Sequence, residues 1–345
     1  MSDRIVLAVD GGNSKTDLAL VRADGALLAH VRGPLSSPHH LGLAESVELL
    51  GRLLDEARGQ AGVNGDHAAS VAQVFLAGVD FPAEEERLRA ALVNRGIAGH
   101  IVVGNDTLAL LRAGTGRGWG VAVVCGAGIN CVGVAPDGRQ LRFPALGEIT
   151  GDWGGGYDVG SEALFVAARS EDGRGAPSSL ERAVPRHFGL DSPRQLAEEL
   201  HAGRISHRRL IELAPVVFAE AAGDEAAAAI VHRLADEVVA FARVALTKLG
   251  IERQPVEVVL GGGLLRAADP RLQSAIVAGL AEVGDEIVVH TTDAPPVVGA
   301  ALLGLDWLET DEPAKERARA ELTAAADADD DLMPARPVGV EARHG

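Results

Sequence analysis

Twice in this chain an apolar strand meets a glycine turn, a second strand returns, an Asp-Gly turn follows and a third strand closes the meander. The first copy uses residues 4–10, Gly11-Gly12-Asn13, residues 15–21, Asp24-Gly25 and residues 26–32. The second uses residues 119–125, Gly126-Ala127-Gly128, residues 129–135, Asp137-Gly138 and residues 139–143. Gly12 to Asp24 spans 12 positions and Gly126 to Asp137 spans 11. Short apolar runs separated by such turns predict antiparallel hairpins. A single distant recurrence is a duplicated supersecondary unit, not a short-period solenoid.

Each meander is followed by helices and further strands. In the first half the spacing of Val47, Leu50, Leu54 and Ala57 predicts a helix over about 43–57. A strand at 71–79 follows, then a helix at 82–94. Pro82 suits its first turn, and Glu84-Glu85-Glu86 suits its positive end. A strand at 100–104 runs into a helix at Asn105-Asp106-Thr107. In the second half helices dominate 161–249. A strand at 256–260, a helix at 270–283, a strand at 286–290 and a helix at 296–308 complete it. The fold class expected is α/β: two five-strand mixed sheets with helices and a cleft between them. Glycine turns facing each other across that cleft would clamp a polyphosphate through backbone N–H groups.

Composition narrows the function. With 345 residues the chain is long enough for about two domains of roughly 150. A hydrophobic share of 47% against 23% charged excludes global disorder. A net charge of −17 without a Lys/Arg cluster argues against nucleic acid, and 3% aromatics leaves little to stack on bases. No uncharged apolar run reaches about 18 residues, so no membrane partner is expected. The start, Met1-Ser2-Asp3-Arg4, leaves no room for a leader peptide, and two cysteines make no disulfide framework. A cytoplasmic protein is the expectation. From Asp311 onward the chain is rich in Ala, Glu and Asp, with a run at Asp329-Asp330-Asp331. Residues 313–345 are expected to form a disordered acidic tail.

Several short motifs can carry chemistry, and each has a plainer reading. Asp10-Gly11-Gly12-Asn13-Ser14-Lys15-Thr16 is a hairpin turn or a phosphate loop. In the second reading Asp10 positions hydrated Mg²⁺, which favours one or two carboxylates beside phosphate oxygens. The spacing is not that of a Walker loop. Gly126-Ala127-Gly128-Ile129-Asn130 sits at the equivalent turn of the second copy. Asp106 is a helix cap or a general base accepting a hydroxyl proton. Asp152, in Gly151-Asp152-Trp153-Gly154-Gly155-Gly156, is a loop residue or a carboxylate for substrate hydroxyls. Trp153 either walls that pocket or points into the core. Gly261-Gly262-Gly263 follows a strand without the full dinucleotide fingerprint; it is a helix-packing turn or a place of close approach for adenosine. Cys125 and Cys131 read as buried small hydrophobes. His39-His40 is a surface loop or a wall of the acceptor site. The helix carrying Leu234, Val238, Phe241 and Ala245 is core or a dimer face.

Taken together, residues 10–17, Asn105-Asp106, residues 126–131, residues 147–152 and Gly261–Gly263 resemble the sugar kinase–Hsp70–actin superfamily. Within it they resemble the N-acetylglucosamine kinase branch of the BadF/BadG/BcrA/BcrD-type ATPases, over about residues 4–308. The resemblance implies duplicated actin-like, ribonuclease H-like domains. The first would take residues 1–112 plus about 294–312, the chain crossing back at its last helix, and the second residues 113–293. It implies ATP-dependent phosphorylation of an amino sugar, foremost N-acetylglucosamine at its 6-hydroxyl, by a homodimer using ATP and Mg²⁺. Asp106 would be the base. Gly11, Gly12, Asn13, Ser14, Lys15, Thr16, Gly126, Ala127 and Gly128 would hold phosphates, and Gly261, Gly262 and Gly263 adenosine. Ser37, His39, Asn105, Asp106, Asn130, Gly147 and Asp152 would meet the sugar, and Asp10 the magnesium ion through water. Two positions depart from the branch: Pro38 stands where it usually has Asn, and Leu146 where it often has an aromatic. Both touch the acceptor pocket. Alternatives are an ATPase that activates a partner reductase through a shared iron–sulfur cluster, and a non-catalytic sugar-binding regulator.

Overall fold

The structure is a computed structural model and describes residues 4–63, 69–267 and 269–332. The chain divides into two compact units, Met1–Trp119 with Thr292–Gly345, and Gly120–Thr291.

The first unit runs β1 (Ile5–Gly11), β2 (Lys15–Arg22), β3 (Leu27–Pro34), α1 (Pro38–Leu41), α2 (Leu43–Ala61), β4 (Ala69–Leu76), α3 (Pro82–Arg95), β5 (Ala98–Gly104) and α4 (Asp106–Gly114). The second runs β6 (Gly120–Cys125), β7 (Ile129–Val134), β8 (Gln140–Arg142), α5 (Gly156–Glu171), α6 (Leu180–His187), α7 (Pro193–His201), α8 (Ala214–Glu220), α9 (Glu225–Leu249), β9 (Val256–Gly261), α10 (Gly263–Arg266), α11 (Pro270–Ala281) and β10 (Ile287–Thr291). The chain then returns to the first unit with α12 (Pro296–Trp307) and α13 (Glu312–Leu332).

Each unit holds one five-stranded sheet, ordered β3-β2-β1-β4-β5 and β10-β9-β6-β7-β8. In both, the meander is antiparallel and the later strands add in parallel to its first strand. A central strand is covered on both faces, and its side chains alternate between two cores. Leu7 and Val9 of β1 join Leu18, Leu20, Val74 and Leu76 beneath α2 and α3, where Leu50, Leu54, Leu88 and Leu92 complete the cluster. Val6 and Ala8 face the other way, with Val71 and Phe75, onto Val297, Ala301 and Leu305 of α12. Gly299 lets α12 cross α4 closely: a Cβ there would lie 1.8 Å from the Ala109 carbonyl oxygen.

In the second unit the face of α9 bearing Leu234, Val238, Phe241 and Ala245 is buried, so it is core rather than a free dimer face. Phe241 meets Phe143 edge-on at 4.7 Å.

The expected disordered tail is corrected over residues 313–332, which form α13. Ala314, Ala318, Leu322 and Ala326 recur every four residues and are buried on the first unit. Arg319 donates to the Ala113 carbonyl, and the Leu27 amide donates to Glu321 Oε2 at 2.7 Å. His30, between β2 and α13, sits 2.9 Å from Asp329 Oδ2 and 3.3 Å from Asp17 Oδ1. An alanine stripe is narrower than the apolar face looked for in the sequence, yet each of its side chains is buried. Residues 333–345 lie outside the described residues. Among the described residues no helix is long and apolar enough to cross a membrane.

Candidate active site

In open sheets of this kind ligands meet the loops beyond the carboxyl ends of parallel strands. In the first unit those ends belong to β1, β4 and β5, and each delivers a carboxylate: Asp10, Asp80 and Asp106.

Beyond β1, pairing of Asp10 with Asp17 and of Gly11 with Thr16 continues to the turn, which the Gly12 amide closes on the Lys15 carbonyl at 2.8 Å. Asn13 and Ser14 form the exposed tip, Asp10, Gly12 and Lys15 are half-buried, and Gly11 is buried. Gly11 is tight because a Cβ would lie 2.1 Å from Ser36 Oγ. Thr16 requires a correction as a phosphate contact. It is fully buried, and its hydroxyl donates to the Pro34 carbonyl at 2.7 Å, anchoring β2 to β3. Ser37, expected at the acceptor wall, is also fully buried. His39 follows it, exposed, in the single-turn helix α1 rather than in a loop, with Nε2 3.5 Å from Glu84 Oε1.

Beyond β5, the cap expected of Asp106 falls to the residue before it. Asn105 is the N-cap of α4. Its Oδ1 accepts from the Thr107 amide at 3.0 Å and the Thr107 hydroxyl at 2.7 Å. Its Nδ2 donates to Asp80 Oδ1 at 2.7 Å. Asp106 heads the helix, half-buried and free of the capping task. Burial, and then the negative charge of Asp80, push its carboxyl up from 3.8 to about 6 against the pull of neighbouring amides.

Asp80 has no place in the sequence reading, and Glu84 enters it only as an acidic residue at the start of the helix that follows. Ala77-Gly78-Val79-Asp80 after a buried strand is the available signal, since it puts a carboxylate at a strand end as in Asp10 and Asp106. Glu84 Oε2 accepts from the Asp80 amide at 2.9 Å and the Phe81 amide at 3.0 Å, the glutamate half of a capping box at the start of α3. Among the described residues, His39, Asp80 and Glu84 bring ligand atoms within 4.8 Å of one another. Glu84 is committed to two amides and Asp80 to Asn105, so this group reads as a polar scaffold.

In the second unit the three glycine clusters meet. The Gly156 amide donates to the Gly126 carbonyl at 2.8 Å and the Tyr157 amide to the Ala127 carbonyl at 3.0 Å. A Cβ on Gly155 would lie 2.5 Å from the Gly128 backbone, and one on Gly262 only 2.2 Å from the Cys125 carbonyl oxygen. Ala127, Gly128 and Gly263 remain exposed, and Gly261 is buried as the last residue of β9. Asn130 is half-buried, its Oδ1 accepting from the Cys131 amide at 2.7 Å. Cys125 and Cys131 are buried free thiols, and burial pushes Cys125 up to about 12.

The segment from Gly147 to Asp152 folds back on itself through the Asp152 amide and the Gly147 carbonyl at 3.0 Å. The Thr150 hydroxyl donates to half-buried Asp152. Trp153 is half-buried beneath the Arg233 guanidinium, 4.0 Å from its ring centroid. Burial raises the carboxyls of Asp158 and Glu237, with the charge of Asp152 adding to both.

The sequence profile of the BadF/BadG/BcrA/BcrD ATPase family matches residues 7–304. An N-acetylmuramic acid/N-acetylglucosamine kinase of Clostridium acetobutylicum is 27% identical over 264 residues, 76% of this chain and 86% of its own. An N-acetyl-D-glucosamine kinase of Dictyostelium discoideum is 25% identical over 319 residues, 89% of this chain and 99% of its own. A crystal structure of a candidate N-acetylglucosamine kinase from Chromobacterium violaceum superposes with a TM-score of 0.68 at 25% identity, covering 87% of this chain and 99% of the other.

Proposed function

Since the chain belongs to the BadF/BadG/BcrA/BcrD ATPase family, we propose that it is an ATP-dependent sugar kinase that phosphorylates the 6-hydroxyl of N-acetylglucosamine. The observation that carries this reading is Asp106: a half-buried carboxylate at a helix start, raised to about 6 and not needed as the cap. Phosphoryl transfer to an alcohol asks the protein for a group to take the hydroxyl proton and for donors to hold phosphate oxygens. Asp106 accepts that proton as the sugar oxygen attacks the γ-phosphorus, and the bond to the β-phosphate oxygen breaks. The amides around Gly12–Ser14 and Gly126–Gly128 hold the phosphates, and Gly261–Gly263 adjoins adenosine. Asn130, Gly147 and Asp152 meet the sugar, His39 borders it, and Asn105 acts through Asp106.

Mg²⁺ fits the donor set at Asp10, a half-buried strand-end carboxylate beside the phosphate turn. When bound it would neutralise phosphate charge. The enzyme works in the cytoplasm, where ATP is supplied, and as a homodimer.

The reductase-activator reading loses its support in the cysteines: both are buried, Cys125 at 0% and Cys131 at 1% exposure, and offer no surface ligand for a shared cluster. The test is ADP release from MgATP with N-acetylglucosamine, N-acetylmuramic acid, glucosamine and glucose, each varied in turn. Turnover fastest with N-acetylglucosamine supports the proposal. ADP release indifferent to every sugar refutes it. Light scattering on the same sample tests the dimer.

A further inference from the structure

We propose that Asp80 is a positioning residue for the base, acting on Asp106 through Asn105; the inference rests on the kinase reading for its kinetic meaning. Asn105 is 2% exposed, and its amide has one orientation that satisfies its neighbours. Its oxygen accepts from Thr107 twice and its nitrogen donates to Asp80 Oδ1 at 2.7 Å. The residue preceding Asp106 is therefore pinned from both sides, and with it the first turn of α4.

Asp80 is itself held. Its amide donates to Glu84 Oε2 at 2.9 Å. Two residues before it, Gly78 has φ +77°, and a Cβ there would come within 2.9 Å of Ser37 Oγ and 3.0 Å of the His39 ring. A loop this confined presents its carboxylate in one place. That carboxylate carries a negative charge toward Asp106, which is one reason, after burial, that Asp106 keeps its proton above the usual carboxylate range.

The two contributions separate by substitution. Asp80→Asn keeps an oxygen acceptor for Asn105 and removes the charge. Asp80→Ala removes both. In full-length protein labelled with ¹³C at aspartate carboxyls, the Asp106 signal is identified by its loss in Asp106→Asn. Its midpoint should fall by about half to one pH unit in Asp80→Asn. Asp80→Ala should also lower kcat by about tenfold, with the KM for ATP within about threefold of wild type. Asp80→Ser gives the charge readout if Asp80→Asn does not fold. An unmoved Asp106 midpoint in a folded charge-neutral variant overturns the proposal, because a purely structural tie between loops would change stability alone. The titration needs no substrate, so it decides this coupling even if the wild-type protein phosphorylates no sugar, an outcome that refutes only the kinase reading.

Discussion

Asp106 embodies a conflict between stability and chemistry. In the native state it holds its proton to about pH 6, against 3.8 for an ordinary aspartate. A group bound more tightly to its proton when folded stabilises fully below the unfolded value. That contribution disappears as pH rises through about 6. At neutral pH the ionised base therefore costs of order 1–3 kcal/mol, partial exposure reducing the upper figure. Asp106→Asn should raise Tm by several degrees at about pH 8 and leave it nearly unchanged at about pH 4, by calorimetry. The same variant should lose about 10²–10⁴-fold in kcat. In the wild type, kcat/KM should fall as pH drops below about 6. Asp152→Ala makes a different prediction: the sugar KM rises, kcat/KM falls by about 10²-fold, and the KM for ATP stays put. Charged hydrogen bonds are worth roughly 1.5–3 kcal/mol each, and steady-state kinetics with each substrate varied reads the split. Asp10, Asp106 and the glycine turns were legible in the sequence because strand ends and turns are local patterns. Asp80 was not, since its meaning lies in Asn105, 25 residues away. The setting of Trp153 was not legible for the same reason, since the guanidinium over its ring belongs to Arg233, far along the chain.

At the scale of elements, the repeated meander gave both sheets nearly strand for strand. What escaped was α13. Its sequence is dominated by Ala, Asp and Glu, so composition pointed to disorder, while the Ala314–Ala318–Leu322–Ala326 spacing carried the weaker contrary signal. The helix is fixed by more than that stripe. Lys315 and Arg112 both pair with Asp306 of α12, at 2.8 Å and 2.7 Å. His30 joins it to Asp17 of β2. Burial alone pushes the Asp17 carboxyl up, yet the adjacent His30, hydrogen bonds from Arg32 and the charges of Lys15 and Arg32 outweigh it and hold it at about 2. Deleting residues 312–345 should expose Leu322, three alanines and the sheet face under them, a loss of about 3–5 kcal/mol. The melting temperature should drop by roughly 6 °C or more. A drop under about 2 °C would mean that the helix contributes nothing to the fold.

For the whole molecule, the decisive feature is that the first unit is assembled from both ends of the chain while the second is continuous. The core under α12 joins Val6, Ala8 and Val71 to Val297, Ala301 and Leu305, which are translated far later. On the ribosome this imposes an order. After Trp119 is added, the stretch Gly120–Thr291 must be translated before α12 exists. At about 5–20 residues per second that takes roughly 10–35 s. Through this interval the sheet of the first unit stands with one greasy face open to the cell, while the second unit can close as soon as it clears the exit tunnel. Stalled nascent chains ending near residue 330 should accordingly resist protease over 120–291 and be cut within 1–119. Early protection of the amino-terminal region would contradict this order. The return of the chain to its own beginning therefore leaves that sheet face to be shielded by something other than α12 while Gly120–Thr291 is translated.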